Sequence, residues 1–264
     1  MTKKTASISV VIPCYNCKAT IGRAFKSILM QTVLPKEVIL VNDCSTDETI
    51  YELKKIEKDC VDFSVTVIDL RVNKGPAYAR NTGWEAATSE YIAFLDSDDS
   101  WNKDKISAQY SWLLNNPDVD ICGHKCIEYS ADTIAHEASP VFKRITNMSL
   151  LVSNRFQTPS VILKRDIKHR FDVEKRYSED YGLWLSILFS GGKGGYSNSV
   201  LAYLYKPAYG VSGLSSNLWA MQKGEVGNFH SLLRMQKINK LTFLAILTFS
   251  CLKFLRRYIK VKLF

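Results

Sequence analysis

Four short apolar runs rich in β-branched residues stand in the first 101 residues, each ending in a polar cluster and each divided from the next by a segment of helical periodicity. No other feature restricts the fold as much. "ISVVIP" (residues 8–13) precedes "TIGRAFKSILMQ", in which Ile21, Phe25, Ile28 and Leu29 share one helical face. "EVILVND" (37–43) is followed by Ser45 and Glu48 at capping-box spacing, predicting a helix through about residue 58. "SVTVIDL" (64–70) reads as a third strand, "GPAYARNTGWEAA" (75–87) as a helix with Pro76 in its first turn, and "YIAFL" (91–95) as a fourth strand. Strands joined through helices run parallel, so these elements predict an α/β domain whose mostly parallel sheet is covered on both faces.

Beyond residue 101 the rhythm loosens. A helix is expected over 103–115, strands within "VDICGHKCIEY" (119–129) and "SVIL" (160–163), and a helix over "SEDYGLWLSILF" (178–189), with Ser178 as cap and Glu179 and Asp180 in its first turn. The net charge of +9 belongs to the end of the chain, because no acidic residue follows Glu225 and eight of the 35 basic residues do. Residues 1–225 thus carry 27 basic against 26 acidic residues, which speaks against nucleic acid as a partner. We therefore divide the chain into a domain over 1–225, its halves meeting near residue 101, and a tail over 226–264. Within the tail, "LTFLAILTFSCL" (241–252) is too short to cross a bilayer. Lys253, Arg256, Arg257 and Lys260 then share one helical face, with Phe254, Leu255, Tyr258 and Ile259 turned elsewhere. This pattern predicts a basic amphipathic helix lying on an anionic membrane, the alternative being a helix packed on the body with a solvated basic face. Seven scattered cysteines make no disulfide framework, and the first apolar stretch is too short for a signal-peptide core, so a cytoplasmic chain, peripheral on the inner face of the membrane, is expected.

In an open α/β sheet, ligands bind beyond the carboxyl ends of the strands. Here those ends carry "PCYN", "NDCSTD", "NKGPAYARN" and "DSDD". Asp43 suits a base or ribose hydroxyl, and the planar fork of Arg80 suits a phosphate or a base; as an ordinary turn residue and a helix-face cation, both also have plain readings. The carboxylates of "FLDSDDSW" fit a capped turn on their own terms, or a cluster of hard oxygens awaiting a divalent cation and a phosphorylated substrate.

"SVVIPCYN", "EVILVNDCSTDET", "NKGPAYARNTG", "FLDSDD" and "SEDYGLWLSIL", in this order, resemble the family-2 glycosyltransferases of the GT-A fold over about residues 7–206. The resemblance implies a Rossmann-like nucleotide-sugar half joined to an acceptor half in one mixed sheet. It also implies a UDP-sugar donor held with Mn²⁺ or Mg²⁺, and inversion at the anomeric carbon. By the same resemblance Pro13 and Tyr15 border the nucleobase and Asp43 bonds it. Asp98 is then the metal ligand, with Asp96 directed to the ribose or a metal-bound water, Asp180 the general base and Glu179 an acceptor contact. Asn42 departs from the pattern, since the family commonly has an acid there. A lipid-linked acceptor is implied as well: glucose or galactose passing in β linkage to an amino sugar such as GlcNAc on undecaprenyl diphosphate, in O-antigen or capsule assembly. The segment 155–178 is expected to shape the acceptor side. Rival readings are a nucleotide-sugar or membrane-binding module without chemistry, a dithiol at Cys14 and Cys17, and a zinc site adding Cys122 and Cys126. His124 and His136 lack ligand-like spacing and read as ordinary residues.

Overall fold

The computed structural model describes residues 3–130, 140–206 and 217–263; His136 lies outside them. The alternating opening folds as expected, as β1 (Lys4–Cys14), α1 (Ile21–Leu29), β2 (Val33–Asn42), α2 (Thr49–Asp59), β3 (Ser64–Asp69), α3 (Pro76–Ala86) and β4 (Tyr91–Phe94). There follow β5 (Ser100–Trp101), α4 (Lys105–Leu114), β6 (Ile121–Glu128), β7 (Phe142–Ile145), α5 (Asn147–Val152), β8 (Ile162–Lys164), α6 (Glu179–Phe189), β9 (Gly194–Leu204), α7 (Leu218–Arg234) and α8 (Lys240–Leu263). One mixed sheet runs β3-β2-β1-β4-β8-β6-β9-β5, with β7 also paired to β9. β1 to β4 are mutually parallel, and antiparallel β8 joins them to the second half.

Successive side chains of a strand face opposite sides, and β1 uses both. Val11 packs with Ile39, Val41 and Phe94 under α3 and α6, whereas Val10 and Ile12 pack with Leu40, Ala93 and Phe25 on the side of α1. Burial on both faces is what an almost continuously apolar parallel strand requires. At Gly83 an added Cβ would stand 2.4 Å from Val11 Cγ1, so a residue without a side chain lets α3 settle directly on β1.

Three expectations are corrected. Ser45 and Glu48 make no capping box: the Ser45 hydroxyl donates to Asn42 Oδ1 at 2.6 Å, and Asp47 Oδ1 accepts the Thr49 N–H at 3.0 Å at the start of α2. The division at 225 falls inside α7, whose Phe229 and Leu232 belong to the core beneath α6. The basic face of the last helix is split. α8 buries Phe243, Ile246 and Ser250 against the body, and the next turns of that buried side are Lys253 and Arg257, which pair with Glu225 at 3.2 and 3.6 Å. Outward it presents Leu241, Leu244, Leu252, Leu255 and Ile259, with Arg256 exposed beside them. Among the described residues no helix is long and apolar enough to cross a membrane.

Candidate active site

The first three strands end in register, Cys14 opposite Asn42 and Asn42 opposite Asp69, so their polar extensions share one edge. The backbone turns sharply there: Asn16 and Cys44 hold φ values of 47° and 56°, a region side-chain-bearing residues seldom occupy. Pro13 is half-buried and Tyr15 half-exposed at this edge. Asp43 is buried, and its two oxygens accept the N–H groups of Lys74 (2.8 Å) and Gly75 (2.7 Å), which fastens the loop before α3 and leaves further lone pairs on each oxygen. Asn42 donates to Asp69 Oδ1 at 2.7 Å while accepting from Ser45, a double role that the acid expected there cannot fill, because a carboxylate has no donor.

β4 runs into the acidic loop. Asp96 accepts from Arg80 Nη2 at 2.7 Å, Asp98 is paired with Lys206 Nζ at 2.6 Å, and Asp99 is buried with Oδ1 accepting the Tyr205 N–H at 3.3 Å. Asp99 therefore ties the loop to the end of β9 and plays no part in starting the next helix. Burial first, then the charges of Asp96 and Asp98, push its carboxyl up to about 8. A field this negative suits a cation, and the structure places one on Asp98: the Lys206 ammonium. The half-buried oxygens of Asp98 and Asp96 fit Mg²⁺ or Mn²⁺, which bind through one or two carboxylates together with substrate phosphates. Among the described residues no three His, Cys, Asp or Glu side chains form a metal cage, in keeping with that mode and against the zinc reading.

On the opposite side stands the amino end of α6. An aromatic cluster fixes the helix to the sheet, with Phe94 of β4 5.2 Å from Phe171 and Phe171 5.6 Å from Trp184 of α6. α7 closes from outside: at Gly224 an added Cβ would meet Tyr177 O at 2.5 Å, and at Gly182 one would meet Asn228 Oδ1 at 2.7 Å, while Asn228 donates to Ser178 O at 2.9 Å. Ser178 is not the cap expected of it, for it is left-handed (φ 56°) and its hydroxyl donates to Met221 O. Glu179 is buried against Arg80 Nη1 at 3.2 Å. Asp180 accepts from its neighbour's N–H (Tyr181, 2.6 Å) and from Thr158 Oγ1 (3.3 Å). Burial raises the proton affinity of Asp180, and burial with the Asp180 charge raises Glu179 to about 7. Arg80 thus spans from the acidic loop to α6, setting Asp96 and Glu179 one guanidinium apart. It holds both sides of the site with one bond from each Nη, while its buried Nε has no hydrogen-bond partner.

A family model described as glycosyl transferase family 2 matches residues 9–170. The chain belongs to that family. Glycosyltransferases resembling it include a UDP-Glc:α-D-GlcNAc-diphosphoundecaprenol β-1,3-glucosyltransferase of Escherichia coli, 34% identical over 184 residues, 69% of each chain. A Staphylococcus aureus TarS fragment solved with UDP-GlcNAc has a TM-score of 0.71 at 21% identity, over 96% of this chain and 72% of that one. A Pyrobaculum calidifontis mannosyltransferase solved with GDP-Man and Mn²⁺ has a TM-score of 0.68 at 20% identity, over 93% of this chain and 69% of that one. The GT-A fold expected from the motifs is the fold observed.

The remaining signals of this glycosyltransferase are structural. Cys14 and Cys17 are buried at 1% and 5% exposure beneath the first strand end, and His124 is buried with Nδ1 beside Lys125 O at 3.0 Å. Sequence reasoning missed three contributors. Arg23 reaches the Asp98 carbonyl and lies over the Tyr205 ring at 3.7 Å, Lys206 neutralises Asp98, and Thr158 holds Asp180. Only Thr158 had a signal, lying within the segment expected to shape the acceptor side.

Proposed function

We propose that the enzyme moves a hexose, glucose before galactose, from a UDP-sugar with inversion, in β linkage, to an amino sugar such as GlcNAc carried on undecaprenyl diphosphate, in O-antigen or capsule assembly. The observation that carries this reading is the Arg80 bridge, which brings a nucleotide-side acid, Asp96, and the α6 acids into one cleft from opposite sides. The donor and acceptor in the E. coli relative's name favour glucose and a lipid-linked GlcNAc.

Asp180 is the general base. Its raised proton affinity makes it a better acceptor for the hydroxyl proton than an ordinary aspartate, and the Thr158 hydroxyl fixes one of its oxygens. Glu179, neutralised by Arg80, borders the acceptor. Pro13 and Tyr15 flank the base and Asp43 presents its spare lone pairs to it, while Asp96 faces the ribose. Asp98, with Asp96, would hold Mn²⁺ or Mg²⁺, which supplies Lewis-acid stabilisation of the departing diphosphate. Lys206, paired with Asp98 at 2.6 Å, would have to give up that carboxylate to such an ion. With a single base and no second carboxylate placed as a nucleophile, one in-line displacement is favoured.

The anionic membrane at the inner face remains the proposed partner of the C-terminal helix, but through its other side. The outward leucines of α8, flanked by exposed Lys237, Lys240 and Arg256, enter the interface, while Lys253 and Arg257 stay on Glu225. The deciding assay supplies UDP-Glc or UDP-Gal with a GlcNAc-diphosphate lipid, with and without Mn²⁺, to wild type and Asp180→Asn. The reading expects metal-dependent transfer that the variant loses by about 10²- to 10⁴-fold while still binding UDP. Undiminished transfer by the variant rejects the base, and transfer undiminished by EDTA rejects the metal.

A further inference from the structure

A cavity of about 720 Å³ opens among β6, β7, β9 and the segment following α5. Lys125 of β6, Lys143 of β7 and Arg155 of that segment line it, and among the described residues no Asp or Glu does. All three cations are exposed, and none has an ion-pair partner among the described residues. Arg144, the next residue along β7, faces the other way and is paired with Asp118 at 2.7 Å, so this region has acids and directs them elsewhere. The Arg155 guanidinium lies 5.7 Å from the Tyr196 ring centre, and Ser197 and Ser199 add hydroxyl donors to the wall. Three like charges around one concavity repel one another, and a multiply charged anion relieves that repulsion.

The position of the cavity bears on which anion it would take. The segment from Val152 to Thr158 touches α8 at one end, where Lys253 Nζ donates to Val152 O at 2.9 Å, and Asp180 at the other, through the Thr158 hydroxyl at 3.3 Å. Arg155 stands midway, three residues and so at most about 11 Å along the chain from either end. A polyprenyl-diphosphate sugar has its parts in the same order: lipid, diphosphate, sugar. The segment runs from a helix with an apolar outer face, through a cationic cavity, to the base.

We propose that this cavity binds the diphosphate of the lipid-linked acceptor, with Lys125, Lys143 and Arg155 as its counter-charges, an inference that rests on the acceptor class proposed above. Arg155 offers the planar fork that pairs with two phosphate oxygens, and the lysines act as point charges.

The test uses the full chain saturated with UDP and Mn²⁺, so that the nucleotide site is filled, and titrates geranyl diphosphate and inorganic pyrophosphate by calorimetry into wild type and Lys125→Ser/Lys143→Ser/Arg155→Ser. The variant should bind geranyl diphosphate at least about tenfold more weakly, with UDP affinity unchanged as the control for folding. In transfer, KM for the diphosphate-linked acceptor should rise by about tenfold or more at nearly constant kcat, while an octyl glycoside of the same sugar, lacking the diphosphate, is used as before. Equal losses with both acceptors, or unchanged geranyl diphosphate binding, overturn the assignment. Pyrophosphate binding as tightly as geranyl diphosphate marks a site for free anions and overturns the lipid source. Wild type that transfers sugar while the triple variant is indifferent sinks this inference alone. Binding through the three cations without transfer to any acceptor upholds the cavity and sinks the proposed function instead.

Discussion

Asp99 is a badly placed charge, and replacing it should make the protein more stable. It is 6% exposed and crowded by Asp96 and Asp98, so its carboxyl, which ionises near 4 in an unfolded chain, is pushed up to about 8. Between those values the folded protein holds a proton that the unfolded chain has released, and stability therefore falls as pH rises from about 4 to about 8. At about 1.4 kcal/mol per unit the whole shift is worth at most about 5 to 6 kcal/mol; local relaxation and water reduce this to roughly 2 to 3 kcal/mol. Asp99→Asn keeps the shape and the oxygen that accepts the Tyr205 N–H, and removes the charge. The variant should match wild type near pH 4 and exceed it by about 2 kcal/mol at pH 8, raising Tm by about 4 to 8 °C. Thermal unfolding in EDTA at pH values from 4 to 9 measures this. Stability profiles that stay parallel across the range, or a variant less stable at pH 8, refute the argument that Asp99 is a buried, repelled carboxyl.

Other perturbations probe other parts of the site. Gly182→Ala places a Cβ 2.7 Å from Asn228 Oδ1, so α6 must shift against α7; a loss of about 1 to 3 kcal/mol and a fall in kcat without loss of UDP binding are expected from denaturant melts and kinetics. Lys206→Met removes the ammonium that competes for Asp98, and Mn²⁺ titration of the UDP-free protein should show severalfold tighter binding; equal or weaker affinity would assign Lys206 a different task. Thr158→Val takes a hydrogen bond from ionised Asp180, so the acid limb of the kcat/KM profile should move to higher pH, and an unmoved limb separates Thr158 from the base.

What the sequence disclosed follows from the range of the interactions involved. Strand ends are local: a run such as "ISVVIP" must be buried on both faces, its polar extension must then lie at the edge, and Asp43, Asp96 and Asp98 were legible for that reason. The acids at the start of α6 were legible in the same way, as a polar start to an apolar helix. Partners were not legible. Arg80 reads alone as a free fork for phosphate, and only the fold reveals that it is shared between Asp96, 16 residues on, and Glu179, 99 residues on. Lys206 and Arg23 meet Asp98 across comparable separations, and no spacing rule reaches that far.

The C-terminal helix shows the same boundary most sharply. Periodicity says which residues share a face, and it placed Lys253, Arg256 and Arg257 on one face of a helix that the fold splits, with Arg256 exposed and the other two on Glu225. It does not say which face is buried, because that depends on what the helix meets. The body offers half-buried Glu225, the last acid in the chain, and a partly desolvated carboxylate attracts nearby cations more strongly than a fully solvated one. Lys253 and Arg257 therefore turn inward, and the leucines that would otherwise cover the core turn outward. Glu225→Gln should loosen the inward pair while leaving Phe243 and Ile246 in place, and binding to anionic vesicles should strengthen as the hold of Glu225 on Lys253 and Arg257 weakens. Weaker vesicle binding by that variant would mean that Glu225 is needed to present the apolar face, and unchanged binding would mean that the outward leucines act without regard to the cations beneath them.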